Sequence, residues 1–307
     1  ALIGYGGVVG SFVEGESLTG ILTWTNPETR TRPGTFTVKG GQSRSYLRDF
    51  VVAKDLAGVN GALLAHDGVA TGTLEVTASL PGGAAAADAR ISVADANDAM
   101  VALMVADSRG KASTTLAPGT YKLSASVFGR LIGPQVTVTV TAGQTTTSAV
   151  GLNDAHTLTV TVKDAAGAAM PAKLTVLCAG GACAFNPDTY RKHLLLDPPD
   201  FGAATIAFVP VQGSLTVTLP PGEYDVVVSR GPEFSTWPDT WPTSGHRVDL
   251  RTADATVNAT LGRIVDTAGW MSADLHVHAV ASSDSAVGNG LRAANFLAEG
   301  VDVLLST

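Results

Sequence analysis

The sequence predicts a mainly β protein, with tandem β-sandwich modules followed by one short strand–helix–strand segment. Three observations carry that prediction. Runs rich in Val, Thr, Ile and Leu recur at roughly 8–12-residue spacing, and the 307 residues include 34 glycines and 15 prolines to turn the chain between them. Within the runs, as in Thr73-Leu-Glu-Val-Thr-Ala-Ser and Val136-Thr-Val-Thr-Val, polar and apolar residues alternate with the period of a half-buried strand. From Gly269 onward the pattern changes to a strand, a helix and a second strand.

Composition narrows the function classes. Hydrophobic residues make up 45% and charged residues 15%, enough apolar material for packed cores and too much for general disorder. No apolar run approaches the ~18–20 residues of a membrane helix. A net charge of −7 without a Lys/Arg cluster argues against nucleic acid as a partner.

Taking the elements in order, residues 1–70 read as the C-terminal part of a β-rich domain. Strands are expected at Leu18 to Trp24, Thr35 to Val38 and Tyr46 to Val52. A short helix then runs to His66, capped by Asp55 and with Leu56, Val59, Leu63 and Leu64 on one face. Ala1 opens the chain with neither methionine nor a charged-then-apolar leader, which leaves a removed signal peptide and an internal start both open.

An internal repeat follows. The stretch TGTLEVTASLPGGAAAADARISV from Thr71 is answered by HTLTVTVKDAAGAAMPAKLTV from His156. Likewise Leu116-Ala-Pro-Gly-Thr-Tyr121 is answered by Leu219-Pro-Pro-Gly-Glu-Tyr224. Each copy closes on a Thr/Val-rich strand, Val136 to Val150 and Val248 to Leu261. The modules are therefore drawn at 71–153 and 154–266. In each Pro-Gly turn proline sets φ and glycine supplies positive φ, and the tyrosine lands on the next strand, where its ring can cover the edge or the core.

The second copy carries an insertion from about Ala179 to Ala204, with Cys178 at its edge and Cys183 inside. Their spacing, across Ala-Gly-Gly-Ala, is not that of a zinc ribbon or a redox motif. A small-loop disulfide in an oxidising compartment is the preferred reading, with two free cytosolic thiols the alternative. The preferred reading points to a secreted or periplasmic protein. A further loop holds Trp237-Pro and Trp241-Pro, a surface for packing against a neighbouring domain or for stacking a sugar.

The chemistry concentrates in Asp274-Leu-His276-Val-His278, with Asp284 six residues on. On a strand, residues two apart point to the same side, so Asp274, His276 and His278 project together. Two imidazoles in register form half of a zinc, manganese or iron site, and a carboxylate in the following loop can complete it. A helix is expected over Val287 to Glu299, ended by Gly300, and then a strand over Val301 to Leu305. No nucleophile elbow, phosphate loop or dinucleotide glycine motif competes. His66, His156, His193 and His246 are scattered and read as structural or surface residues.

The repeated modules resemble the carboxypeptidase-regulatory-like and Cna-B-like sandwiches, which serve as spacers or rigid supports. The Asp274 to Asp284 motif resembles the first motif of the PHP (polymerase and histidinol phosphatase) metallohydrolases. The two sandwiches leading into it resemble the carbaryl-hydrolase-like, CehA/McbA-type branch. That resemblance implies that residues 267–307 begin a PHP-type β/α barrel, with His276, His278 and Asp284 as metal ligands and Asp274 orienting a histidine from behind. It implies two or three divalent ions (zinc, manganese or iron) activating water against a small-molecule ester, carbamate or phosphoester. In that family the second strand continues Thr-Asp-His; this sequence stops at Thr307, so the remainder of the barrel is expected as a further segment or a second chain. The competing reading is a non-enzymatic, multi-sandwich surface or carbohydrate-binding protein, supported by the β-rich character of everything before Gly269.

Overall fold

The computed structural model describes residues 2–4, 7–13, 48–181, 203–280, 282, 285 and 287–307. The expected strands at Leu18 to Trp24 and Thr35 to Val38 lie outside them, as does most of the 179–204 insertion. The chain is mainly β, with multiple β-sandwich sheets. It divides into two compact units, Ala1–Ser79 with Gly83–Ala125 and Pro134–Gly151, and Leu80–Gly82 with Ser126–Gly133 and Leu152–Thr307.

The first unit opens with an antiparallel sheet of β1 (Leu2–Gly4), β2 (Gly7–Val13) and β3 (Arg48–Ala53). Helix α1 (Leu56–His66) follows. As expected, Asp55 is its cap, Oδ1 accepting the Gly58 N–H at 2.9 Å. Its Oδ2 does something the sequence did not predict, accepting the Val105 N–H at 3.0 Å and tying the helix start to a strand fifty residues away. The helix lies close because Gly61 has no side chain: a Cβ there would sit 2.7 Å from Thr115 Oγ1.

Seven strands complete this unit: β4 (Gly72–Ser79), β5 (Arg90–Ala94), β6 (Met100–Val105), β7 (Lys111–Leu116), β8 (Gly119–Ser126), β9 (Val136–Val140) and β10 (Thr145–Gly151). They form a three-stranded sheet, β10-β4-β7, and a four-stranded one, β6-β5-β8-β9. Alternation along β4 buries Leu74, Val76 and Ala78, and β5 and β8 add Ile91, Val93 and Leu123.

The second unit repeats the plan with β11 (His156–Asp164), β12 (Ala172–Cys178), β13 (Ala203–Val209), β14 (Ser214–Leu219), β15 (Glu223–Ser229), β16 (His246–Asp249) and β17 (Ala255–Leu261). Its sheets run β17-β11-β14 and β13-β12-β15-β16, strand for strand the order of the first sandwich. One cluster joins Leu158, Val160, Leu174, Val176, Tyr224, Val226, Val257 and Leu261 in its core. In both sandwiches the first and last strands pair in parallel, Thr73–Ser79 with Thr145–Gly151 and Leu158–Asp164 with Ala255–Leu261.

The turns follow from side chains the sequence shows. Asp164 Oδ1 accepts the N–H groups of Ala166 and Ala168 at 2.9 and 2.8 Å, and Asp107 Oδ1 those of Arg109 and Lys111 at 2.8 and 2.9 Å, so one carboxylate stands in for a strand partner at each reversal. Both repeat tyrosines close their Pro-Gly turns: Tyr121 Oη donates to the Ala117 carbonyl at 2.8 Å and Tyr224 Oη to the Pro220 carbonyl at 2.6 Å. Cys178 is disulfide-bonded; Cys183, the other of the two cysteines, lies outside the described residues.

Within the second unit the C-terminal segment forms β18 (Ala273–Val277), α2 (Asn289–Ala298) and β19 (Val303–Ser306), with β18 and β19 parallel. Arg230, at the end of β15, donates from one guanidinium nitrogen to the Pro171 carbonyl at 2.6 Å and to the Leu297 carbonyl of α2 at 2.7 Å. Lys173 of β12 pairs with Glu299 at 2.7 Å. The reading of this segment as the start of a PHP-type barrel needs correction. Among the described residues the segment is one helix and a two-stranded parallel sheet, and no barrel is shown.

Candidate metal centre

Strand β18 brings the two imidazoles together as the period of two requires. His276 Nε2 lies 3.2 Å from His278 Nε2, with ring centroids 5.0 Å apart and planes at 69°. Two nitrogens on one tetrahedral zinc, each at about 2.0–2.1 Å, stand about 3.3 Å apart, so the pair has the separation of a chelate. His278 Nδ1 is 2.6 Å from Ser282 Oγ. Ser282 belongs to the Ser-Ser-Asp run, and its place four residues past His278 is the sequence signal for this contact.

Asp274 lies at the start of the same strand. Its Oδ1 accepts the backbone N–H of His276 at 3.1 Å, bracing the strand and not a ring nitrogen. Asp284 lies outside the described residues. Among the described residues no three His, Cys, Asp or Glu side chains converge as a metal site. The described residues thus bring two imidazoles together, where a tetrahedral zinc takes four donors.

The start of β18 is held by the start of β19. Ser272 donates its N–H to Asp302 Oδ2 at 2.9 Å, and its hydroxyl approaches the same oxygen at 3.2 Å. These bonds, the backbone one foremost, hold the Asp302 carboxyl below its ordinary value, with Arg263 and Arg230 adding to the effect.

The remaining histidines are dispersed. His156 Nδ1 lies 3.5 Å from Asp254 Oδ1, His246 packs its ring 4.8 Å from that of Trp237, His66 ends α1, and His193 is outside the described residues. Trp237 is half-buried against the core of its own sandwich. Its backbone exchanges two hydrogen bonds with Val228, each of 2.8 Å. The ring thus rests on the core of the module that carries it.

No family model and no curated protein matches the chain. Among solved structures it is similar to the Bacillus anthracis TIE protein, at 12% identity and a TM-score of 0.27, covering 78% of this chain and 40% of that one. It is also similar to the shaft pilin SpaA of Lactobacillus rhamnosus GG, at 10% identity and a TM-score of 0.38, covering 64% of this chain and 99% of that one. A third is GBS52, the minor pilin of Streptococcus agalactiae, at 11% identity and a TM-score of 0.30, covering 64% and 97%. The chain thus spans two fifths of the TIE structure and nearly all of each pilin structure.

These findings overturn the assignment to the PHP metallohydrolases and its carbaryl-hydrolase-like branch. No family model and no curated protein matches the chain, and none of the three structures named above is described as a hydrolase. The enzymatic reading, with its ester, carbamate or phosphoester substrate, falls with it. The physical reason is local: His-x-His on a strand brings two imidazoles together whatever surrounds them, so the pair by itself does not specify a water-activating centre.

Proposed function

We propose that the chain is a non-enzymatic structural protein of the cell exterior, a run of β-sandwich modules at 71–153 and 154–266 that bears load or spaces what is attached to it. Residues 1–70 form a β-rich part before them and residues 267–307 a separate segment after them. One observation carries the reading: each sandwich clamps its first strand in parallel to its last, over seven residue pairs in each module. Pulling on the two ends of such a module draws those strands past each other, so the evenly spaced hydrogen bonds of the ladder are loaded together and not opened one by one. The disulfide at Cys178 supports an oxidising, secreted or periplasmic setting. No helix among the described residues is long and apolar enough to cross a membrane.

Single-molecule pulling on the full chain tests this. Two discrete unfolding events are expected, with contour gains of about 290 and 400 Å at ~3.5 Å per residue, less whatever the disulfide at Cys178 withholds from the second. Gradual extension without such events would sink the proposal.

A second reading concerns the histidine pair, whose nitrogen separation favours it. His276 and His278 are proposed to take up one divalent ion, zinc, manganese or iron, with Asp284 as the expected carboxylate ligand. An ion there would cross-link β18 to the loop that follows it. Titration calorimetry should show zinc binding that His276→Ala and His278→Ala each remove; binding unchanged in both variants would end this reading.

A further inference from the structure

Two Asn-Gly pairs occur in the chain, Asn60-Gly61 and Asn289-Gly290. In such a pair the backbone nitrogen of the glycine can attack the carboxamide carbon of the asparagine, because the glycine carries no Cβ to block the approach. The attack needs two uncommitted groups, the glycine N–H and the asparagine side chain. The fold places the two pairs in opposite circumstances.

Gly61 lies in the middle of α1, where its N–H belongs to the helical ladder and points at the Ala57 carbonyl. Asn60 beside it is half-buried, and a Cβ on Gly61 would fall 2.7 Å from Thr115 Oγ1. Asn289 and Gly290 are the first residues of α2, and both are exposed. The leading N–H groups of a helix have no acceptor within it, and no side chain caps α2, because Gly288 holds the cap position. Among the described residues neither the Gly290 N–H nor the Asn289 carboxamide has a hydrogen-bond partner. Nothing lies within 4 Å of where a Gly290 Cβ would stand. A helix end also opens more readily than its middle, which gives Asn289 the backbone rotation the attack requires.

We propose that Asn289 is a deamidation site, a slow covalent switch at the head of α2. The Gly290 nitrogen bonds to Asn289 Cγ as the Cγ–Nδ2 bond breaks. Ammonia leaves with the Gly290 proton, and a cyclic succinimide remains. Water then opens the ring: addition at Cγ gives aspartate, and addition at the backbone carbonyl gives isoaspartate, with the main chain rerouted through Cβ and Cγ. The two products act in opposite directions. Aspartate sets a negative charge where the helix dipole and the uncapped N–H groups favour it. It also stands one turn from Arg292, whose Nε is buried without a hydrogen-bond partner. Isoaspartate lengthens the main chain at the same point and unseats the first turn.

The test incubates the full chain for days in warm, mildly alkaline buffer and maps its peptides by mass at intervals. The exchange of amide for carboxyl at Asn289 should run about tenfold or more faster than at Asn60, the ratio set by one committed hydrogen bond. Isoaspartyl methyltransferase labelling should mark part of the product. Gly290→Ala, a change into open space, should slow the conversion severalfold. Asn289→Asp, which makes the first product directly, should raise amide protection over 291–298 about two- to fivefold. No conversion at Asn289, conversion as fast at Asn60, or conversion indifferent to Gly290→Ala overturns the proposal. Protection unchanged or lowered in Asn289→Asp overturns the role assigned to the carboxylate.

Discussion

Replacing Tyr224 by phenylalanine isolates one atom of the repeat motif. The ring stays, so no cavity opens; what goes is a hydroxyl donating at 2.6 Å to the Pro220 carbonyl, in a side chain that is 1% exposed. Pro220 is itself buried, so its carbonyl is left without water to replace the lost donor. Loss of the net hydrogen bond costs about 1 kcal/mol and the abandoned buried acceptor about 1–3 kcal/mol more. The sum is about 2–4 kcal/mol in the second module. The matched change Tyr121→Phe removes a 2.8 Å bond to Ala117, whose carbonyl belongs to a half-buried residue that water can reach, so about 0.5–1.5 kcal/mol is expected there. Trp237, Trp241 and Trp270, three of the four tryptophans, lie in the second unit. Urea unfolding followed by tryptophan emission therefore reads Tyr224→Phe, and hydrogen exchange of peptides from 72–151 reads Tyr121→Phe. A cost below about 0.5 kcal/mol for Tyr224→Phe, or one no larger than that of Tyr121→Phe, would refute the idea that the tyrosines close the turns through their hydroxyls.

Two further outcomes follow from the same geometry. Asp55→Ala removes the cap of α1 and the acceptor of Val105 N–H together, and should destabilise the first unit by about 1.5–4 kcal/mol, with amide protection lost first over 56–66; Asp55→Asn should cost less, because it keeps one oxygen acceptor. Asp249 is held down to about 2, first by the Arg251 side chain and then by its backbone N–H. Because the folded value lies below the ordinary 3.8, the stabilisation is present above that pH and is lost as pH falls through the folded value. Carboxyl NMR should place the midpoint there, and Arg251→Ala should raise it only part of the way, since the residue 251 N–H still donates.

The C-terminal segment shows how far local pattern reaches. The helix over Asn289–Ala298 and its stop at Gly300, where φ is +78°, follow from residues adjacent in the chain, and so does the shared side of His276 and His278. The catalytic conclusion drawn from them failed because a metal-activated water needs ligands from several elements, and two imidazoles on one strand say nothing of the others. Trp237, in a loop beside proline, rests its ring on the core of its own sandwich, a contact that the loop sequence does not specify.

By itself the sequence determined the β class, the repeat and its turns, the Asp55 cap and the two tyrosines, because each depends on residues within a few positions of one another. Tertiary structure alone decided that β4 lies beside β10 and β11 beside β17, that Asp55 also reaches Val105, and that α1 packs against β7. Those pairings join residues fifty to a hundred apart, and burial and hydrogen-bond satisfaction across the whole module select them; the period of a single strand reads the same whichever neighbour it finds.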